Sequence, residues 1–227
     1  MLEIRHITKS FGDLKVLDDI SYAIRQKMIT AIIGTNGAGK TTLFNIIMGI
    51  LRPEEGMILH GSKDLTKMRT SDISREGISM MFQQDAYFKN LTLEDHLLLC
   101  SRDKRKIAEV LAVVGLNKTL DTLVRDMSYG EKKLTGIAMT LLEGHDIILL
   151  DEPVAGVNPF LKREILRIMA QLKRSGKTIV FIEHDMDFVR EIADESMVLS
   201  KGKIIASGKT EDIMQDRFVI ETFLGKD

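Results

Sequence analysis

The apolar positions of this chain follow two rhythms that alternate along its length. Alternation in Leu2-Glu3-Ile4-Arg5-His6-Ile7, and again in Ile20-Ser21-Tyr22-Ala23-Ile24, predicts two half-buried strands near the start. Ile29-Thr30-Ala31-Ile32-Ile33 is almost continuously apolar, as are Ile147 to Leu150 and Thr178 to Ile182. Short runs of that kind suit strands covered on both faces, as in a parallel sheet. Helical patterns lie between them. The clearest runs from Pro159 to Lys173, with Asn158 as N-cap and Pro159 at the first helical position. Strands alternating with helices predict a parallel α/β core.

Residues from about 85 to 140 break that rhythm. Leu93 to Cys100, Lys104 to Val114 and Glu131 to Leu142 all read as helices with no strand among them. This predicts a helical lobe (about 85–140) inserted into a core built from 1–84 and 141–227. Near the end, Met197 to Ser200 and Lys203 to Ala206 flank Lys201-Gly202, the pattern of a hairpin, and a short helical tail follows. No internal repeat or Pro-rich linker is visible, so residues 1–227 read as one domain with a lobe.

Composition changes this picture only by exclusion. Hydrophobic residues make up 44% and charged residues 29%, an ordinary globular balance. Lys plus Arg (32) nearly cancels Asp plus Glu (33), so no strong field draws nucleic acid or anionic lipid. The basic run Arg102 to Lys106 reads as a solvated helix start. Cys100 is the single cysteine, so no intrachain disulfide forms and a reducing compartment is expected; Leu97 to Leu99 beside it predict a buried, inert thiol. No signal-peptide pattern and no apolar run long enough to span a bilayer is present, so the chain is expected to be soluble by itself.

The chemistry begins at Gly34-Thr35-Asn36-Gly37-Ala38-Gly39-Lys40-Thr41-Thr42, between a buried strand and a helix expected over Leu43 to Ile50. It satisfies G-x-x-x-x-G-K-[ST] completely. Its glycines let the backbone wrap a phosphate chain, with N–H groups pointing inward beside a helix N-terminus. Lys40 then reaches the β- and γ-phosphates, and the Thr41 hydroxyl ligates Mg²⁺. Asp151 and Glu152 close the Ile147–Leu150 strand, where ligands bind in such sheets. One carboxylate there can hold Mg²⁺ and the next can polarise an attacking water; two acids capping a turn is the plainer alternative.

Other candidates are weaker alone. Gln83, beside Gln84 after Ile78 to Phe82, offers an amide oxygen as a Mg²⁺ ligand, although paired glutamines in a loop are unremarkable. His184, after the Thr178–Ile182 strand, is placed to contact a γ-phosphate or to be structural. Ser128, in Met127-Ser128-Tyr129-Gly130-Glu131, reads by itself as a helix N-cap before it reads as a phosphate binder.

Taken in order, these elements resemble the ATP-binding subunit of an ABC transporter, and the resemblance covers essentially the whole chain. It implies a P-loop α/β core with an N-terminal antiparallel β subdomain and the inserted helical lobe. It implies ATP and Mg²⁺ as ligands, with Gly34 to Thr42 as the phosphate loop, Gln83 as a loop glutamine and Asp151 as a metal-binding acid. Glu152 is then the catalytic glutamate and His184 the switch histidine. Phe11 falls where the family stacks an aromatic on adenine, with a core role as the alternative. Met127 to Glu131 matches the signature, Ser128, Tyr129, Gly130 and Glu131 reaching the ATP of a second cassette, identical or paralogous.

Two permease subunits, and in importers a solute-binding protein, are the further partners so implied, at the cytoplasmic face of a membrane; no nucleic acid is implied. Tyr129 stands for a usual glycine, Glu131 for glutamine and Asn158 for a common aspartate. Ser-Tyr-Gly together with Ala155-Gly156-Val157-Asn158-Pro159 is similar to subunits driving uptake of branched-chain amino acids, with urea and short-amide importers close by. Lipopolysaccharide-export ATPases and soluble, non-transport ABC ATPases are the alternatives.

Overall fold

The computed structural model describes residues 1–81 and 87–221. Its centre is a six-stranded sheet in the order β10-β9-β3-β8-β7-β6. The members are β3 (Ile29–Gly34), β6 (Ile78–Met81), β7 (Ile147–Asp151), β8 (Thr178–Ile182), β9 (Glu195–Ser200) and β10 (Lys203–Lys209). Every pairing is parallel except β9 with β10. The continuous apolar runs are explained by which way their residues face. Ile29, Ala31 and Ile33 of β3, Ile148 and Leu150 of β7, and Ile179 and Phe181 of β8 enter one core. Ile32, Ile147, Leu149, Val180 and Ile182 enter a second core. β3, β7 and β8 are buried on both faces, and so they cannot alternate with polar residues.

The second core is closed by an antiparallel sheet, β2-β1-β4-β5. It comprises β1 (Leu2–Phe11), β2 (Leu14–Ile24), β4 (Glu55–His60) and β5 (Lys63–Asp64), together with α1 (Lys40–Ile47) and α2 (Thr70–Arg75). The early alternation thus belongs to longer strands than it predicts, joined by a turn at Gly12-Asp13. Sequence reading gave no signal for β4, β5 or α2. The first helix begins at Lys40 rather than Leu43, which places Lys40, Thr41 and Thr42 in its first turn.

Between the adjacent strands β6 and β7 the chain makes α3 (Leu93–Cys100), α4 (Lys104–Val114) and α5 (Tyr129–Leu142). α3 is held by a Thr92–Asp95 capping box, and α4 by Asp103, whose side chain accepts from the Arg105 and Lys106 amides. Cys100 is half-buried, and burial pushes its thiol up to about 11. α6 (Pro159–Arg174) starts as expected, with Asn158 Oδ1 accepting from Leu161 N at 2.9 Å. α7 (Met186–Ile192) and α8 (Thr210–Ile213) complete the cover of the sheet, and α9 (Arg217–Val219) ends the described chain.

The β9–β10 turn has Lys201 at φ 46° and Gly202 at φ 76°, the left-handed pair that suits a two-residue hairpin. That turn does more than reverse the chain. Gly202 N donates to Ala38 O at 3.3 Å and Gly202 O accepts from Asp18 N at 2.8 Å, tying the loop after β3 to the antiparallel sheet. A Cβ on Gly202 would stand 2.6 Å from Val16 O, so the approach requires glycine.

Candidate nucleotide site

The loop from Gly34 to Gly39 leaves the C-terminal end of β3, in the middle of the large sheet, and runs into α1. Gly37 at φ 79° and Gly39 at φ 103° give it its bend. Gly39 is enclosed as well, because a Cβ there would meet Leu17 Cδ2 at 2.6 Å and Val16 O at 2.7 Å. The Lys40 ammonium turns back across the loop and donates to Gly34 O at 2.8 Å and Thr35 O at 2.9 Å. It is 6% exposed, and burial lowers its pKa while the Glu152 and Asp151 carboxylates raise it.

Beside the loop lies an open cleft of about 540 Å³. It is lined by Asn36, Gly37, Ala38, Gly39, Lys40, Thr41 and Thr42, by Glu152 and His184, and by Leu14 and Val16 of β2. Two strand ends supply Glu152 and His184. β7 and β8 are parallel neighbours, paired at Asp151 and Ile182, so the residues that follow each strand emerge together. His184 Nε2 stands 2.9 Å from Glu152 Oε1.

Asp151 is 1% exposed, and its Oδ1 has no hydrogen-bond partner among the described residues. Burial first, and then the neighbouring Glu152 charge, push its pKa up; the Thr41 hydroxyl and the Lys40 and Lys133 ammoniums pull the other way. A buried carboxylate oxygen left without a donor, with a hydroxyl nearby, is a donor set for a hard cation such as Mg²⁺. The residues present therefore fit that ion. Gln83, the other expected ligand, lies outside the described residues.

Two groups that sequence reading passed over organise this end of the site. Glu183, 2% exposed, accepts from Val154 N at 2.8 Å and His184 N at 3.1 Å. Its burial raises its pKa, and those amides hold it down. Lys133 of α5 donates to Glu152 O at 2.9 Å. Each had a faint signal. Glu183 is an acid directly after a buried strand, and Lys133 falls on the apolar stripe of α5, one turn before Ile137.

Phe11 and Leu14 face each other across the β1–β2 turn, both exposed. Leu14 lines the cleft; Phe11 is not among its lining residues and has the Lys9 ammonium 5.3 Å from its ring centre. Ser128 lies outside the cleft. It caps α5 in a reciprocal box: Glu131 N donates to Ser128 Oγ at 3.3 Å, and Ser128 N donates to Glu131 Oε2 at 2.8 Å. Lys118 pairs with Glu131 at 3.2 Å. Tyr129 donates its hydroxyl to Ala155 O at 3.1 Å, and a Cβ on Gly130 would meet Leu161 Cδ2 at 2.7 Å. Ser128 and Tyr129 at the start of α5 are exposed, and neither lines the chain's own cleft.

The family model for ABC transporters matches residues 17–155. A probable branched-chain amino acid transport ATP-binding protein of Archaeoglobus fulgidus is 31% identical over 99% of this chain and 95% of its own length. The ATP-binding protein of a lipopolysaccharide export system from Haemophilus influenzae is 29% identical over 100% of this chain and 98% of its own. The crystal structure of a nucleotide-free ATP-binding cassette from an ABC transporter superposes with TM-score 0.92 at 30% identity, covering 100% of this chain and 99% of that one. With a phosphate loop, Glu152 and His184 lining one cleft and Asp151 buried next to Glu152, this chain belongs to the ABC transporter family, as an ATP-binding subunit that hydrolyses ATP.

Proposed function

We propose that this subunit powers uptake of branched-chain amino acids or related small amides, urea included, from the cytoplasmic face of a membrane. The observation that supports the site reading is the meeting of Lys40, Glu152 and His184 in one cleft beside the phosphate loop. ATP enters there with Phe11 against its adenine. Gly34 to Thr42 wrap the phosphates with N–H groups, and Lys40 exchanges the Gly34 and Thr35 carbonyls for phosphate oxygens. Thr41, Asp151 and Gln83 would hold Mg²⁺, which when bound would neutralise phosphate charge. Glu152 orients the attacking water and takes its proton, and His184 keeps that carboxylate aimed while facing the γ-phosphate.

A second cassette, identical or paralogous, completes each site. Its Ser128, Tyr129, Gly130 and Glu131 meet this chain's ATP at the amino end of α5, where the helix dipole favours an anion. Closure of the pair around two nucleotides is the mechanical stroke. In this reading residues 1–227 are one ATP-binding domain, and the lobe over about 85–140 passes closure to two permease subunits served by a solute-binding protein. Among the described residues no helix is long and apolar enough to cross a membrane, which suits peripheral attachment through those subunits.

Support for the cargo comes from Ser128-Tyr129-Gly130 with Ala155 to Pro159, and from the full-length likeness to the Archaeoglobus fulgidus relative. The full-length likeness to the Haemophilus influenzae export relative supports lipopolysaccharide export as the second reading. The test is to co-purify the membrane partners, reconstitute them in vesicles and measure ATP hydrolysis with leucine, isoleucine, valine, urea or a short amide. Stimulation of several fold by one of these is expected. Stimulation by lipopolysaccharide alone would overturn the cargo, and an inert assembly would overturn the site.

A further inference from the structure

We propose that Lys133 is a positioning residue for Glu152, making the start of α5 and the Glu152 backbone one mechanical unit. The proposal rests on the reading of Glu152 as the group that activates water. Lys133 lies on the second turn of α5, five residues after its cap Ser128, and is 3% exposed. A buried ammonium is strongly disfavoured unless its surroundings compensate the lost hydration. Here the ammonium donates to Glu152 O at 2.9 Å and stabilises the nearby Asp151 charge.

The carbonyl it holds belongs to a strained residue. Glu152 has φ 50°, the left-handed region, which a residue bearing a Cβ keeps only where its neighbours over-determine it. Its N–H donates to Ile182 O at 3.0 Å, and its carbonyl accepts from Ala155 N at 3.3 Å as well as from Lys133. The first two bonds belong to the sheet and the loop that follows it. The Lys133 bond arrives from the helix that carries Ser128, Tyr129 and Gly130. This backbone conformation sends the Glu152 carboxylate to His184 at 2.9 Å. One turn earlier, Tyr129 donates to the carbonyl of Ala155, the residue whose N–H closes back on Glu152. Two side chains from the first two turns of α5 therefore land on residues 152–155. An anion that draws in the start of α5 shifts the residue that aims the chain's own Glu152, so occupancy of one site of a pair reaches the other through Lys133.

The test is a cycle of Lys133→Met, Glu152→Ala and the double variant, read by single-turnover ATP hydrolysis and by ATP affinity measured directly. Lys133→Met keeps the aliphatic length and removes the donor. It is expected to slow hydrolysis on the order of 10- to 100-fold with ATP affinity within about twofold, as misaiming by a fraction of an ångström would. The double variant is expected to match Glu152→Ala alone, because a residue acting through Glu152 has nothing left to aim. Tyr129→Phe, a change at an exposed side chain that leaves folding intact, should show a smaller slowing that also vanishes in the Glu152→Ala background. Hydrolysis by Lys133→Met at the native rate, or slowing by the same factor in both backgrounds, would overturn the proposal. Native hydrolysis by Glu152→Ala would instead overturn the reading of Glu152 beneath it.

Discussion

His184 Nε2 and Glu152 Oε1 stand 2.9 Å apart, joining the residues that follow two parallel neighbouring strands. The contact orients the carboxylate, and its imidazole is partly exposed to the cleft. Replacing His184 by Ala should leave stability within about 0.5 kcal/mol, as at other partly exposed positions away from the core. Hydrolysis should fall by about 10²-fold with ATP affinity nearly unchanged, because a preorganised polar group at the reacting phosphate is lost. Steady-state kinetics beside a direct binding titration checks both.

Asp151 is held at a cost to the unliganded fold. Burial and the Glu152 charge raise its pKa above the ordinary 3.8, so the folded state retains the proton longer than the unfolded chain does. A group raised in this way makes stability fall as pH rises from the unfolded value through the folded one. Asp151→Asn removes that segment, and without ligand it should be more stable than the native chain by a margin that widens above about pH 4 and then levels off. Glu183, raised in the same sense, is common to both proteins and cancels in the difference. Urea unfolding from pH 4 to 8 reads the margin. The same variant should lose Mg²⁺-dependent hydrolysis.

The two left-handed glycines of the phosphate loop should tolerate a methyl group unequally. At Gly37 an added Cβ meets nothing within 4 Å, so Gly37→Ala bears only the backbone penalty of about 1–2 kcal/mol. At Gly39 the same change also drives a Cβ against Leu17 and the Val16 carbonyl. Thermal unfolding without nucleotide should therefore show a clearly larger loss for Gly39→Ala than for Gly37→Ala.

What the sequence disclosed here follows from how local each signal is. The phosphate loop is a run of nine adjacent residues, and the buried strands, the Asn158 cap and the Lys201-Gly202 turn are each written within a few positions. β4 is not, because it exists by pairing with β1 across a sequence distance that no local pattern encodes, and β5 is a two-residue strand paired to β4, too short to leave a pattern. The apolar pattern begins α1 three residues late because Lys40, Thr41 and Thr42 are polar and their place in the first turn is set by the loop that ends at Gly39. Glu183 and Lys133 were hidden for another reason. Each is a charged residue in the core, and only the fold reveals the backbone amides and the carbonyl that stabilise it there. Phe11 is marked in the sequence only by the resemblance, with a core role as the alternative; the fold leaves it exposed and puts Leu14, opposite it, in the lining of the cleft.

The central claim is that Glu152 activates water on this chain's own ATP while the start of α5 serves a partner's. Its most direct test is Glu152→Gln, assayed for single-turnover hydrolysis and, in the presence of ATP, for association state. The substitution keeps size and hydrogen-bonding capacity but removes the base. Hydrolysis should fall by at least about 10²-fold, within the range general-base catalysis supplies, and the chain should accumulate as an ATP-bound dimer. Hydrolysis at the native rate, with no dimer held by ATP, would contradict the account.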